Sequence, residues 1–404
     1  MKILMIAQYT TFPFEGGNSR FTYLLDLFDY SKNKIEFITS SFYHAKKIKR
    51  NIDKNTINGL KYKLTLIDEP GYKKNVSIKR MFSHKVLSKR IKKYLNKMAD
   101  KPDVIYCALP SLDVAYEAIK FAKKNKIRFI IDVQDLWPEA FKMALNIPIM
   151  SELIFYPMKK KADYVYSNAS DIVAVSETYV QRALSVNTNI KEGLSVYLGT
   201  DLNKFDSFIK TKGKGVSQHS ETIKIVYIGT LGTSYDIKSI IDAIQQLYNK
   251  GIKNIKFVLI GDGPLKDSFE MYAKNSGIDY EFTGRVDYGK MVKLLCKCDI
   301  AVNPIIKSSV ASIINKVGDY AAAGLPVINT QNSNEYKNLI DKYKAGFNCT
   351  NGDIDDIASK IEILVKDKKL REKLGFGNRI MANELFDREK NYNKIIRRIM
   401  GSDK

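Results

Sequence analysis

The segment NPIIKSSVASIINKVGDYAAAGLPVINT, residues 303–330, gathers residue types that could hold a charged ligand. Its pattern predicts a helix that starts near Ser312 and stops at Gly324, where a left-handed cap is cheap, before Pro326 opens a strand. Such a helix carries Asn315, Lys316 and Asp319 in its first two turns. Free backbone N–H groups, the positive end of the helix dipole and the Lys316 ammonium together suit a diphosphate, and Asp319 one turn later suits a ribose diol. The same residues also fit a capped surface helix with an i, i+3 ion pair from Lys316 to Asp319, and the segment alone does not separate the two.

Other loops carry glycine beyond the carboxyl ends of strands, where open parallel sheets bind ligands. FPFEGGNSRFTYLL sets Gly16 and Gly17 ahead of a helix, a place open to a phosphate or sugar and equally to an ordinary turn. IGTLGTSYDIKSIIDAIQQL sets Gly229 and Gly232 around Thr230 and Leu231 before a second helix, a weaker phosphate-loop candidate. IGDGPLKD reads as a tight turn into a helix. There is no Gly-X-Gly-X-X-Gly and no Gly-Lys-Ser/Thr, which argues against a dinucleotide fingerprint and an NTPase loop. Asp353 and Asp355 form an Asp-X-Asp, but acids at a helix start complement its dipole, and that is their expected role. Four scattered cysteines and three histidines make no ligand cluster, so neither a metal nor another cofactor is expected.

These loops need strands to hold them. Seven apolar runs, from KILMIA at 2–7 to LSVYL at 194–198, and six more, from KIVYIG at 224–229 to AGFNC at 345–349, alternate with helical patterns. Continuous apolar strands between helices predict an α/β chain of two doubly wound, Rossmann-like domains, each a parallel sheet covered on both faces. The predicted boundaries are 1–205 for the first domain, a polar linker at 206–222, 223–385 for the second domain, and a helix within 386–404 packing back towards the first. The 404 residues contain no apolar run long enough to span a bilayer, and MKILMIAQYT is too short for a signal-peptide core. A cytoplasmic location is expected.

Taken together, these features resemble the GT-B glycosyltransferases, specifically glycosyltransferase family 4. The resemblance spans nearly the whole chain and rests on the order of its parts: the N-terminal Gly-Gly, SETYVQRAL at 176–184, LGTDLNKF at 198–205, the GDGP turn, FTGRVD at 282–287 and DYAAAGLPVI at 319–328. The stretch Asp132, Asp135, Leu136, Trp137, Pro138 and Glu139 is similar to one in bacterial O-antigen and capsule transferases. The resemblance implies two domains facing a cleft and a retaining, metal-independent transfer of a hexose or N-acetylhexosamine. The donor would be a nucleotide-sugar, UDP-linked by family habit, and the acceptor a lipid-linked or polysaccharide glycan.

It also implies roles. Asp319 takes the second acidic position of the family's Glu-X7-Glu motif, on the ribose, while the first falls on Ala311. Asn315 and Lys316 lie at the diphosphate, Arg285 and Val286 at the base, Gly16 and Gly17 at the donor phosphate, and Gly229, Thr230, Gly232 and Ser312 along the donor. Two cations usual in the eighth-strand loop are replaced by Thr230 and Asp236, and a usual His by Gln134. Gln134 and Asp135 are the first-domain candidates for orienting acceptor or donor sugar, with Lys316 as the catalytic cation, though Asp135 could instead cap a turn.

The formal charge is +22, from 66 Lys and Arg against 44 Asp and Glu. Residues 41–98 hold 17 basic residues against Asp53, Asp68 and Glu69. Within them, SIKRMFSHKVLSKRIKKYLNKM spaces Ile78, Met81, Phe82, Val86, Ile91, Tyr94, Leu95 and Met98 as one helix stripe. Lys79, Arg80, Lys85, Lys89, Arg90, Lys92 and Lys93 lie between them, a face suited to an anionic membrane or acceptor. A peripheral position on the inner face of the cell membrane is therefore expected. Nucleic-acid binding has only the charge in its favour, with no recognised module, and is not expected. A nucleotide-sugar 2-epimerase of the same fold and an inactive partner subunit are the competing readings.

Overall fold

A computed structural model of the chain describes residues 1–17, 19–75, 77–141, 150–210, 222–306 and 313–402. They divide into two units, Met1–Val196 with Tyr392–Lys404, and Tyr197–Asn391. The first unit is built on seven strands: β1 Lys2–Ile6, β2 Lys34–Ser40, β3 Lys63–Ile67, β4 Val104–Leu109, β5 Arg128–Val133, β6 Asp171–Ala174 and β7 Leu194–Ser195. They lie in the order β3-β2-β1-β4-β5-β6-β7, every neighbouring pair parallel. Parallel pairing requires long crossovers, here helices that bury both faces, and all six residues of β4 are buried.

The second unit has six parallel strands: β8 Ile223–Ile228, β9 Ile255–Ile260, β10 Asp279–Gly284, β11 Ile300–Asn303, β12 Val327–Asn329 and β13 Gly346–Asn348. Their order is β10-β9-β8-β11-β12-β13. Each apolar run read as a strand carries one, and the α/β class of two Rossmann-like sheets holds. The strand order reverses beside β1 in one unit and beside β8 in the other, so the loops after these strands sit at topological switch points.

The expected linker is misplaced at its start. Residues Leu202–Lys210 form a helix, and Leu202 and Phe205, one turn apart, are buried in a core of the second unit. The break between units therefore comes at Val196, and residues 211–221 lie outside the described ones.

In the first unit a charged group organises the centre. Helix α1, Arg20–Leu27, is capped by Ser19 and begins with a buried arginine. Arg20 Nε donates to Asp132 Oδ2 at 2.8 Å and Nη1 to the Val196 carbonyl at 2.7 Å, while Tyr106 donates to the same Asp132 oxygen at 2.7 Å. The guanidinium lies 5.1 Å from the ring centroid of Tyr392, at the end of the chain. Asp132→Ala leaves this cation buried without its carboxylate, and the expected result is a loss of about 3–5 kcal/mol of unfolding free energy in a urea titration. Asp132→Asn, which keeps an acceptor, is expected to cost less.

Candidate functional site

A cavity of about 1100 Å³ lies in the second unit, at the carboxyl ends of its central strands. The loops after β8 and β9 form one wall. They are laced by backbone hydrogen bonds of 3.0 Å from Gly229 N to Ile260 O and from Leu231 N to Asp262 O. A side chain at Gly261, whose φ is 155°, would place Cβ 1.8 Å from the Gly229 carbonyl oxygen. The GDGP turn is thus a requirement of loop packing, and Gly261, Asp262 and Gly263 line the cavity. The next helix, Ile237–Asn249, is capped by Asp236, which accepts from Ser239 N at 3.3 Å. That helix start already has its carboxylate.

The opposite wall is a helix, here α2, Asn315–Ala322, with Ile314 at its N-cap and no side chain capping it. Val317 N donates to the Ile314 carbonyl at 3.1 Å, and the Asn315 and Lys316 N–H groups precede that first bond. Tyr320 ties this helix beneath the sheet, accepting from Ile228 N at 3.0 Å and donating to the Val302 carbonyl at 3.1 Å. Lys316, in the first turn, is 8% exposed, and burial pushes its pKa well below the ordinary lysine value. Its Nζ has no hydrogen-bond partner among the described residues and rests 3.8 and 3.9 Å from the ring centroids of Tyr227 and Tyr235.

Asp319 does not pair with Lys316. Its Oδ1 accepts from Thr200 Oγ1 at 2.9 Å and from Tyr288 Oη at 2.8 Å. Burial raises its pKa, while these hydroxyls and the Arg388 charge pull it back. The intrahelical ion pair of a plain surface helix is therefore replaced by an ammonium and a carboxylate with separate surroundings.

The cavity brings together Gly229, Thr230, Arg285, Val286, Asn315, Lys316 and Asp319. Gly232 does not line it, and Ser312, with Ala311, lies outside the described residues. Gly16, Gly17, Gln134 and Asp135 belong to the first unit. Gly16 and Gly17 follow a short turn of helix after β1, and a Cβ at Gly17 would press on Thr11 Cγ2 at 2.7 Å. Gln134 N extends the sheet by donating to the Leu109 carbonyl at 2.8 Å, and its Nε2 is buried without a partner among the described residues. Asp135 accepts from Trp137 Nε1 at 3.1 Å, and burial raises its carboxyl pKa. Sequence reasoning missed Tyr227 and Tyr235. Each lies in a stretch that reads as ordinary strand or loop, and nothing in the order of residues pairs either with a distant lysine.

The basic helix forms as expected, over Ile78–Lys97, but its stripe divides. Leu87, Ile91 and Leu95 are buried, whereas Ile78, Met81 and Phe82 are 85%, 58% and 60% exposed. Lys79, Lys85, Lys89 and Lys93 are exposed, Arg90 is paired with Asp68, and Lys92 lies 3.2 Å from Glu117. Arg80 does not belong to the basic face. Its guanidinium turns inward to sit 5.0 Å from the Trp137 centroid and donates to Tyr9 Oη at 2.8 Å, because aromatic rings rather than solvent surround that side of the helix. Ring contacts run from His84 through Trp137 and Phe141 to Phe155, whose helix, Met150–Asn168, exposes Leu153, Ile154 and Tyr156. Among the described residues no helix is long and apolar enough to cross a membrane. Asp353, the first acid of the Asp-X-Asp, caps the helix Ile354–Lys366 by accepting from Asp356 N.

Residues 210–380 match the family described as Glycosyl transferases group 1. A Campylobacter jejuni enzyme named GalNAc-alpha-(1->4)-GalNAc-alpha-(1->3)-diNAcBac-PP-undecaprenol alpha-1,4-N-acetyl-D-galactosaminyltransferase is 24% identical over 272 residues, 64% of this chain and 70% of that protein. The capsular polysaccharide biosynthesis glycosyltransferase CapM of Staphylococcus aureus is 23% identical over 301 residues, 71% of this chain and 73% of that one. Among solved structures, Anabaena HepE in complex with UDP matches with a TM-score of 0.70 at 14% identity, covering 99% of this chain and 100% of that one. Sequence relatives and fold point the same way: the chain has the GT-B fold, and residues 210–380 carry the match to glycosyl transferases group 1.

Proposed function

We propose that this chain is a family 4 enzyme that transfers a sugar, with retention of configuration and without a metal, from a UDP-sugar to a lipid-linked or polysaccharide acceptor of the bacterial surface. The observation that carries the donor half is Lys316, a buried lysine whose Nζ has no partner among the described residues, at a helix start that none of them caps with a side chain, in a cavity large enough for a nucleotide-sugar. In the transfer, the bond from the anomeric carbon to the diphosphate breaks and an acceptor hydroxyl oxygen takes its place, its proton passing to the departing phosphate. Charge grows on the leaving oxygen, so the groups already aimed there supply the main stabilisation. Lys316 and the first amides of α2 take the diphosphate, and Arg285 and Val286 bound the base. Asp319 receives the ribose diol through Oδ2, since Oδ1 already accepts two hydroxyls. The cap that Asp236 gives the helix after β8 directs phosphate away from that helix and towards α2.

The UDP complex of HepE, a second complex of that protein with UDP-glucose, and the diphosphate-undecaprenol acceptor in the name of the Campylobacter relative support the choice of donor and acceptor classes. Exposed Ile78, Met81 and Phe82 beside Lys79, Lys85, Lys89 and Lys93 support docking on an anionic membrane, apolar side chains entering the interface and lysines meeting headgroups.

Asp319→Ala is expected to raise the donor KM about tenfold or more, and Lys316→Ala to lower kcat and donor affinity together by about 100-fold in kcat/KM. Steady-state kinetics with a panel of UDP-sugars tests both, and wild-type donor kinetics in the two variants would remove the assignment of the site. At low salt the enzyme is expected to co-sediment with phosphatidylglycerol vesicles and not with phosphatidylcholine ones. Changing Lys79, Lys85, Lys89 and Lys93 to Gln should weaken that partition by about two to three orders of magnitude.

A further inference from the structure

The environment of the Lys316 ammonium is aromatic. Tyr227, buried on β8, and Tyr235, in the loop that follows, meet edge to face with centroids 5.6 Å apart and an interplanar angle of 67°. Nζ lies within 4 Å of both centroids, closer than any other cation to a ring among the described residues. Tyr227 Oη donates to the Thr230 carbonyl at 2.7 Å, which fixes that ring to the loop after β8. Beside the rings the ammonium meets Gly229, where a Cβ would stand 3.1 Å from Nζ and 3.3 Å from Cε. Gly229 lines the cavity together with the start of α2.

We infer that Tyr227 and Tyr235 are positioning residues for the donor: their rings clamp the Lys316 ammonium against the Gly229 backbone, at the point where a nucleoside diphosphate enters. This rests on the reading of the cavity as the nucleotide-sugar site. A lysine on a four-carbon stem would otherwise swing to water or fold onto Asp319, one turn along. Ring faces attract a cation without offering it a hydrogen bond, so they hold it in place yet leave its three N–H donors free for phosphate oxygens. Charge-assisted hydrogen bonds to a diphosphate are the stronger contact, so the rings do not compete with the ligand. The clamp matters more here because the loop after β8 offers Thr230 and Asp236 and no cation of its own.

A double-mutant cycle read by calorimetric titration with UDP tests the clamp. Tyr235→Phe keeps the ring and is expected to bind UDP within about twofold of wild type, whereas Tyr235→Leu is expected to weaken binding about tenfold. In a Lys316→Met background, Tyr235→Leu should change the Kd by less than about twofold, because the ring then has no cation to hold. Equal weakening by Tyr235→Leu in both backgrounds would mean that the ring acts by shape alone, and the clamp would be rejected, as it would if Tyr235→Leu bound UDP like wild type. Thermal unfolding of each variant checks that it is folded, and the Phe variant retains the test if the Leu variant is not: a tenfold loss with Phe would also overturn the clamp. Undiminished UDP binding by Lys316→Met alone would instead overturn the reading of the donor site, as would the absence of UDP binding by wild type.

Discussion

A lysine ammonium buried at the start of a helix, with no carboxylate in contact among the described residues, is the constraint on which the second unit turns. Three effects oppose its charge: desolvation, worth several kcal/mol for an ion taken from water; the positive end of the helix dipole; and the missing counter-ion. Two tyrosine faces below 4 Å offset part of this, each by about 2 kcal/mol in a desolvated setting. The remainder makes this helix start a poor place for a cation and a good one for an anion. A diphosphate relieves the helix start and the lysine at once.

The rest of the unit holds this arrangement in place. The reversal of strand order beside β8 puts its loop at the switch point, glycine at 261 lets the neighbouring loop close on it, and the Tyr320 hydroxyl sets α2 against the sheet through one donor and one acceptor contact. The first unit shows the opposite treatment of a buried cation. Arg20 is given a carboxylate, a carbonyl and a ring, and ties helix α1 to β5, to the residue after β7 and to Tyr392. The paired charge there serves architecture, and the one in the second unit, unpaired among the described residues, is the one we propose for binding.

The sheets were legible because parallel strands buried on both faces are written as continuous apolar runs, and runs such as DVIYC and KFVLIG have no other use. Lys316, Asn315 and Asp319 were legible because they share one helix start. What escaped depends on contacts between distant segments. Tyr227 and Tyr235 look like any strand and loop tyrosines until the fold brings Lys316 between them. Arg80 reads as one more basic residue of its helix until Tyr9 and Trp137 arrive from other loops. The unit boundary was set too late because Leu202 and Phe205 belong by chain position to the first domain and by burial to the second. Asp353 was read correctly as a cap, since that role needs only its immediate neighbours.

The helix Arg388–Met400 opens in the second unit and delivers Tyr392, Ile395 and Ile399, all fully buried, into the core around β1. The first unit is therefore discontinuous in the chain, and the second, Tyr197–Asn391, is contiguous. In synthesis the strands of the first unit precede the second unit, yet their core is completed only by residues 392–399, which follow it, while the second unit needs no later segment. The order of synthesis and the order of completion of the two units are reversed: until residues 392–399 arrive, the core around β1 lacks Tyr392, Ile395 and Ile399 and leaves apolar surface uncovered.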